Sequence, residues 1–370
     1  MRYYIIAGEA SGDLHGSNLI KAIKAKDPHA VIQCWGGELM EAAGGKLVKH
    51  YRTLAFMGFV EVLMNIRTIL SNIKFCKKEI ETFKPDVLIC IDYPGFNLRI
   101  AKWAKSKGLK VVYFIAPQVW AWKENRVPAM RASINRLLCI LPFEKQYFKD
   151  RWNWEVDYIG HPLMQVLESQ HDLPHPLPQI AGEKIIALLP GSRKQEITKK
   201  LPEMLSVVDA FPAYHFAIAQ APGLDDDWFA SLVLNNKNVH IVKGNTYALL
   251  NHSVAALVTS GTATLETALL GVPEIVCYKG NPITLALAKR FVKIKFIALV
   301  NLIMDKEVVK ELIQEDLNKK NLVQELSLLL EDESKKAQIK ADYQMLKEQL
   351  YTGQSATELA AGIIQEELSK

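Results

Sequence analysis

Ile185-Ile186-Ala187-Leu188-Leu189-Pro190-Gly191-Ser192-Arg193 joins a short apolar run to a turn of small residues. Ala255-Ala256-Leu257-Val258-Thr259-Ser260-Gly261-Thr262-Ala263-Thr264-Leu265-Glu266 repeats the pattern. Each reads as strand, turn and helix start. A turn of this kind presents backbone N–H groups and the positive end of a helix dipole to an anion. Arg193 adds a fork of donors suited to phosphate. Glu266 follows one turn into its helix, where a carboxylate can accept from sugar hydroxyls. Two anion-accepting turns and one such carboxylate point to a nucleotide-diphosphate-sugar site, and so to glycosyl transfer.

Working outward, short β-branched runs alternate with helical stretches along most of the chain. Strands are predicted at 3–7, 31–35, 87–91, 111–115, 137–141 and 157–159, and again at 185–189, 215–219, 239–242, 255–259 and 274–278. Such alternation predicts parallel, doubly wound sheets. The pattern restarts after His171-Asp172-Leu173-Pro174-His175-Pro176-Leu177-Pro178, a composition typical of linkers. The expected domains are therefore 1–175 and 176–345, with a helical tail over 346–370. At 370 residues the chain is long enough for two cores. Two such domains facing each other would hold ligands in a cleft at the strand ends.

Composition narrows the class. Hydrophobic residues make up 49% and charged residues 23%, as in ordinary globular proteins. A net charge of +5 suits an anionic substrate or surface but is too small to argue for nucleic acid. The five cysteines are scattered without a CxxC pair, which reads as buried thiols in a reducing compartment. The opening Tyr3-Tyr4-Ile5-Ile6-Ala7 reads as a first strand, and no uncharged apolar run approaches the roughly 18 residues of a membrane span. A cytoplasmic protein is expected.

The first half carries acidic strand ends. Gly8-Glu9-Ala10-Ser11-Gly12-Asp13 is not the dinucleotide fingerprint. It is either a tight turn with Asp13 near a helix start or a place where an acceptor sugar approaches, with Glu9 and Asp13 on its hydroxyls. Ile91-Asp92-Tyr93-Pro94-Gly95-Phe96-Asn97 ends another strand. Asp92 there is either a turn residue or a general base facing the cleft, and Asn97 either fixes the loop or binds substrate. In Ala116-Pro117-Gln118-Val119-Trp120-Ala121-Trp122, both rings are core, or one offers a flat face to a ligand. His161 ends a strand with a structural or a cleft-facing role. Asp225-Asp226-Asp227 formally contains a metal-binding DxD, but its place after Pro222-Gly223-Leu224 favours a solvated helix cap. The stretch 54–75 is apolar on most faces, as a buried helix or an exposed patch for acyl chains or a membrane.

Taken in order, GEASGD from Gly8, IDYPGFN from Ile91, PQVWAW from Pro117, GHPL from Gly160, LPGSR from Leu189 and SGTATLE from Ser260 resemble the bacterial lipid-A-disaccharide synthase family over nearly the whole chain. Departures are local. Gly95 stands where an acidic residue is expected, Gln118 where Ser is usual, and Val309-Lys310-Glu311 where a Pro-Glu pair is usual. The resemblance implies an α/β protein of the GT-B class, with two Rossmann-like doubly wound domains, acceptor-binding first and UDP-sugar-binding second. It implies an inverting, metal-independent glycosyltransferase without cofactor, acting in the lipid A pathway of a Gram-negative bacterium. Its donor would be UDP-2,3-diacylglucosamine, and its acceptor 2,3-diacylglucosamine 1-phosphate (lipid X). The product would be the β-1,6-linked disaccharide 1-phosphate, with UDP released. Asp92 is the expected catalytic residue. Glu9, Ser11, Asp13, Asn97, Trp120 and His161 are the expected substrate contacts. Ser192, Arg193, Glu196, Ser260, Gly261, Thr262, Thr264, Glu266, Asn301 and Gln314 are the expected UDP contacts. Peripheral contact with the cytoplasmic face of the inner membrane is expected, with a homodimer as a possible assembly and no nucleic-acid partner. The competing readings are a UDP-sugar epimerase or hydrolase of the same architecture, and a nucleotide-sugar-binding protein without turnover.

Overall fold

The structure is a computed structural model that describes residues 1–53, 66–168, 170, 173–233, 236–280 and 295–370. It divides into two units, Met1–Pro162 with Leu350–Lys370, and Leu163–Gln349. Each is built on one parallel sheet.

In the first unit the strands are β1 (Arg2–Ala7), β2 (Val31–Gly36), β3 (Lys46–His50), β4 (Val87–Ile91), β5 (Lys110–Phe114), β6 (Arg136–Cys139) and β7 (Asp157–Tyr158). Their order in the sheet is β3-β2-β1-β4-β5-β6-β7. Helices cover both faces, so the central strands are apolar on both sides rather than alternating. Every residue of Val87–Ile91 is buried, as is all of β1 after Arg2. One face holds Tyr4, Trp35, Phe96 and Phe148, and the other Tyr3, Ile5, Leu19 and Phe114.

The second unit repeats the plan with β8 (Ile185–Leu189), β9 (His215–Gln220), β10 (Val239–Lys243), β11 (Ser253–Thr259), β12 (Glu274–Tyr278) and β13 (Lys310–Ile313). Their order is β10-β9-β8-β11-β12-β13. In both sheets the order reverses between the first strand of the unit and the fourth, β1 beside β4 and β8 beside β11. At such a reversal the connections diverge to opposite faces and leave a crevice at the carboxyl ends of the two strands.

The observed division differs from the expected one at two places. The chain passes between units at Pro162–Leu163 rather than at 175–176. The described part of the Pro-rich segment, 173–178, belongs to the second unit. Leu177 is buried in that unit's core, and the His175 ring meets His252 at 4.6 Å. The terminal helix Ala356–Ser369 is not a separate tail. It lays Ala360, Ala361, Ile363 and Ile364 against the helix Ala10–Lys26 and the β1 face of the first unit. The expected strands are all present. The two that the sequence reading omitted, β3 and β13, lie at sheet edges.

Candidate active site: two strand-order reversals

The β8/β11 reversal forms a cavity of about 440 Å³ lined by Gly191, Ser192, Arg193, Glu196, Ser260, Gly261, Thr262 and Glu266, with Thr246 and Thr259. Both turns that flank the reversal demand glycine. Gly191 has φ +117° and Gly261 has φ +152°, values that side-chain-bearing residues rarely adopt. Gly261 leads directly into the helix Thr262–Leu269, and Arg193 into the helix Lys194–Leu205; neither start has a side-chain cap. Two helix starts without such caps therefore border one cavity, an arrangement suited to an anion. Arg193 lies at its edge, with Nη1 3.5 Å from Glu196 Oε1. At the other side Glu266 accepts a hydrogen bond from Tyr247 Oη at 3.0 Å. Burial raises the Glu266 pKa, and the Tyr247 hydroxyl partly offsets this. The cavity thus has a cationic, N–H-rich side and a carboxylate side, which suits a diphosphate joined to a sugar.

Three expected contacts lie outside this lining. Thr264 is fully buried and its hydroxyl donates to Gly261 O at 2.9 Å, closing the first turn of its own helix. Asn301 is also fully buried. Its Nδ2 donates to Val309 O and Glu311 Oε1, and its Oδ1 accepts from the N–H groups of Val308 and Val309. Glu311 in turn accepts from the N–H groups of Ile297 and Ala298, ahead of the helix Leu299–Met304. Gln314 receives the Gly280 N–H on Oε1 at 2.7 Å. These side chains hold the backbone around β12 and β13, because buried amide groups must find partners. Ser260 does line the cavity, although its hydroxyl donates to Ile297 O at 3.1 Å.

At the β1/β4 reversal the structure brings Glu9 and Asp92 together. Asp92 and Tyr93 both have left-handed backbones, φ +41° and +48°. Two successive non-glycine residues in this region are costly and persist only where the surroundings over-determine them. Here the Asp92 N–H donates to Phe114 O, while its carbonyl accepts from Asn97 Nδ2 at 2.8 Å and Tyr113 Oη at 2.6 Å. Asp92 is exposed to solvent. Desolvation, and then the charge of Glu9, raise its pKa to about 6.

The remaining first-half candidates separate into exposed and structural groups. Ser11 stands exposed in the first turn after Glu9. Asp13 is buried and accepts from the N–H groups of Gly37, Leu39 and Met40, capping the short helix after β2. Asn97 is fully buried and spends Nδ2 on the carbonyls of Ile91 and Asp92, so it fixes the loop. Gly8 does not leave room for a ligand. A Cβ there would fall 2.3 Å from the Tyr93 ring, which occupies that space. Trp120 is the anchored tryptophan, donating to Glu144 Oε1 at 3.0 Å and meeting the Phe143 ring edge-on. Trp122 is the exposed one, 53% accessible, with Lys123 Nζ 4.0 Å from its ring centre. His161 is buried. Desolvation and neighbouring His15 lower its pKa to about 3, and its N–H donates to Leu350 O where the chain returns to the first unit. Asp225 caps a helix by accepting from Trp228 N–H. Among the described residues no group of three His, Cys, Asp or Glu side chains could hold a metal ion.

The profile of the lipid-A-disaccharide synthetase family matches residues 3–365. The chain belongs to this family. It is 35% identical over 355 residues to the lipid-A-disaccharide synthase of Syntrophus aciditrophicus, covering 94% of this chain and 92% of that one. Among solved structures, the glycotransferase of kitacinnamycin superposes with a TM-score of 0.70 at 15% identity over 99% of both chains. A putative UDP-N-acetylglucosamine 2-epimerase from Listeria monocytogenes gives 0.69 at 12% identity, covering 100% of this chain and 97% of the other. These two likenesses establish the fold, two parallel-sheet α/β domains of the GT-B class. Membership of the family makes the protein a glycosyltransferase of lipid A biosynthesis.

The sequence reading passed over Thr246, Tyr247 and Thr259. The first two begin the helix after β10, and the Gly244-Asn245 turn ahead of them was the available signal. If Asn301 is a frame residue, Asn301→Ala should lower stability by about 2–4 kcal/mol, the scale for breaking a buried hydrogen-bond cluster. Urea unfolding followed by circular dichroism measures it. Full stability with weakened UDP binding would instead make Asn301 a ligand contact.

Proposed function

We propose that the protein condenses UDP-2,3-diacylglucosamine with 2,3-diacylglucosamine 1-phosphate to give the β-1,6-linked lipid A disaccharide 1-phosphate and UDP. The single observation that carries the mechanism is Asp92, a solvent-reached carboxyl at the end of β4 whose pKa is raised to about 6. The acceptor 6-hydroxyl oxygen attacks the donor's anomeric carbon as the bond from that carbon to the diphosphate oxygen breaks. Asp92 takes the hydroxyl proton, and the configuration inverts. Glu9 and Ser11 bind the acceptor, and Trp122 replaces Trp120 as the ring that can face a ligand.

In the second unit the leaving diphosphate lies against the two glycine turns, near Ser192, Ser260 and Thr262, with Arg193 as its cationic partner. Glu196 holds Arg193 in place, and Glu266 accepts from the ribose hydroxyls. Helix starts and a guanidinium then offset the charge that builds on UDP, in place of a metal ion.

Acyl chains on both substrates require a meeting place with lipid. Among the described residues no helix is long and apolar enough to cross a membrane. The sequence patch 54–75 lies partly outside the described residues. Its described end falls in the helix Ile66–Phe83, where Leu70 and Phe75 are 55% and 40% exposed. We assign this helix face, with Arg67 and Lys74 beside it, to contact with an anionic bilayer surface.

Four kinds of measurement check the reading. Mass spectrometry of UDP-diacylglucosamine with and without lipid X should show disaccharide only when both are present. Isomerised or free sugar from the donor alone would favour an epimerase or hydrolase. The rate should rise with pH through about 6 as Asp92 becomes an active base, and Asp92→Asn should lose about a hundred- to ten-thousand-fold in kcat while still binding UDP. Near-normal turnover would remove Asp92 from the mechanism. Arg193→Ala should weaken UDP binding and slow turnover together; unchanged values would place the phosphates elsewhere. Leu70→Asp should reduce co-sedimentation with phosphatidylglycerol vesicles without changing the unfolding midpoint, and undiminished vesicle binding would exclude this face.

A further inference from the structure

Behind the wall of the second-unit cavity lies a lysine that no assigned role uses. Lys200 falls in the helix Lys194–Leu205, one turn beyond Glu196, and is only 4% exposed. Lysine is almost never buried so completely unless a partner compensates its charge. Its ammonium donates to the hydroxyl of Thr259, and the Tyr278 ring centre lies 5.7 Å away. Thr259 ends β11 and lines the cavity, with its methyl group beside Gly191. A hydroxyl that accepts from an ammonium keeps its own proton to donate.

We propose that Lys200, acting through the Thr259 hydroxyl, is a positioning residue for the diphosphate of a bound nucleotide. This rests on the nucleotide reading of that cavity. Lys200 Nζ donates to Thr259, Thr259 donates to a phosphate oxygen, and the buried charge finds its counter-ion only when a phosphorylated ligand is present. The groups facing Lys200 support this. Glu196 on its own helix is the nearby carboxylate, but it also pairs with Arg193. Lys199 and Arg193 add positive charge, and β12 contributes only the Cys277 thiol and the Tyr278 ring. On this side of the cavity Arg193 and, behind it, Lys200 thus share one carboxylate, Glu196.

A consequence follows for proton balance. Burial, the largest influence, lowers the Lys200 pKa below the ordinary lysine value, and Glu196 opposes it. A bound diphosphate raises that pKa again. Between the two pKa values, binding must take up a proton, and affinity must fall as pH rises. A lysine that merely ties the helix to β11 would produce no such linkage.

The test is calorimetric titration of the full chain with UDP and with uridine across about pH 8 to 10, below and up to an ordinary lysine, in two buffers of different ionisation enthalpy. The unsubstituted protein should take up more protons on binding UDP than on binding uridine, which carries the same titratable uracil ring. Lys200→Met should weaken UDP on the order of ten- to a hundredfold, leave uridine unchanged and abolish the difference in uptake. Thr259→Val, which removes only the hydroxyl, should reproduce part of the UDP loss, and the double variant should lose no more than Lys200→Met alone. UDP bound by the unsubstituted protein with no more proton uptake than uridine at any pH in this range would overturn the role of Lys200 while leaving the cavity's assignment intact. That measurement stands even if Lys200→Met fails to fold. No UDP binding at all would overturn both. Equal loss of UDP and uridine in Lys200→Met would reduce the residue to a structural tie.

Discussion

Everything distinctive about this chain depends on the reversal of strand order at β1/β4 and at β8/β11. A parallel sheet with helices on both faces has no free surface for a ligand except at its strand ends. At the reversal the connections part, and the backbone there is not needed for covering the sheet. The strand-end loops GEASGD, IDYPGFN, LPGSR and SGTATLE follow β1, β4, β8 and β11, the four strands that flank the two reversals. Their unusual composition is a consequence of topology. Loops elsewhere only have to turn.

A second layer of polar residues keeps these loops in shape. Asp13 gathers three backbone N–H groups, Asn97 fastens the left-handed Asp92, and Asn301 with Glu311 organises the chain before and after the helix Leu299–Met304. Asp13, Asn97 and Asn301 are buried and tie down several backbone groups each, which is where an irregular loop gains its rigidity. The left-handed backbone at Asp92 and Tyr93 is retained at some energetic cost, and the cluster of Asn97, Tyr113 and Phe114 around it offsets that cost. The proton transfer proposed for Asp92 would benefit from a carboxyl held this way, since its distance to a substrate then depends little on thermal motion.

These supporting residues mark the limit of what the sequence discloses. The central strands were legible because burial on both faces leaves uninterrupted apolar runs such as Val87–Ile91. The edge strands Lys46–His50 and Lys310–Ile313 were not, because half-exposed strands carry charges that look like loop. Within the motifs, Asp, Asn, Thr and His serve equally well as ligand contacts and as backbone fasteners. Only tertiary burial shows that Asp13, Asn97, His161, Thr264 and Asn301 face inward. Lys200 errs the other way. It falls in a run of charged helix residues that reads as solvated, and only the fold turns it beneath Thr259. The Pro-rich segment 171–178 misleads for a related reason, since Leu177 is drawn into a core that its composition gives no sign of.

Charge is divided between the two sheets in a way that matches the tasks proposed for them. The β1/β4 reversal sets Glu9 beside Asp92, two carboxylates that repel a diphosphate, and desolvation together with the Glu9 charge raises the Asp92 pKa. The β8/β11 crevice instead offers helix starts, Arg193 and, behind the wall, Lys200; of its two lining carboxylates Glu196 pairs with Arg193 and Glu266 lies beside Tyr247. Exchanging these environments would disable both. Glu9 and Asp92 near a diphosphate would add like charges to a leaving group, and a cationic wall near Asp92 would lower its pKa and weaken it as a base. The similar sheets thus differ where chemistry requires it, at the few side chains beyond the ends of two neighbouring strands.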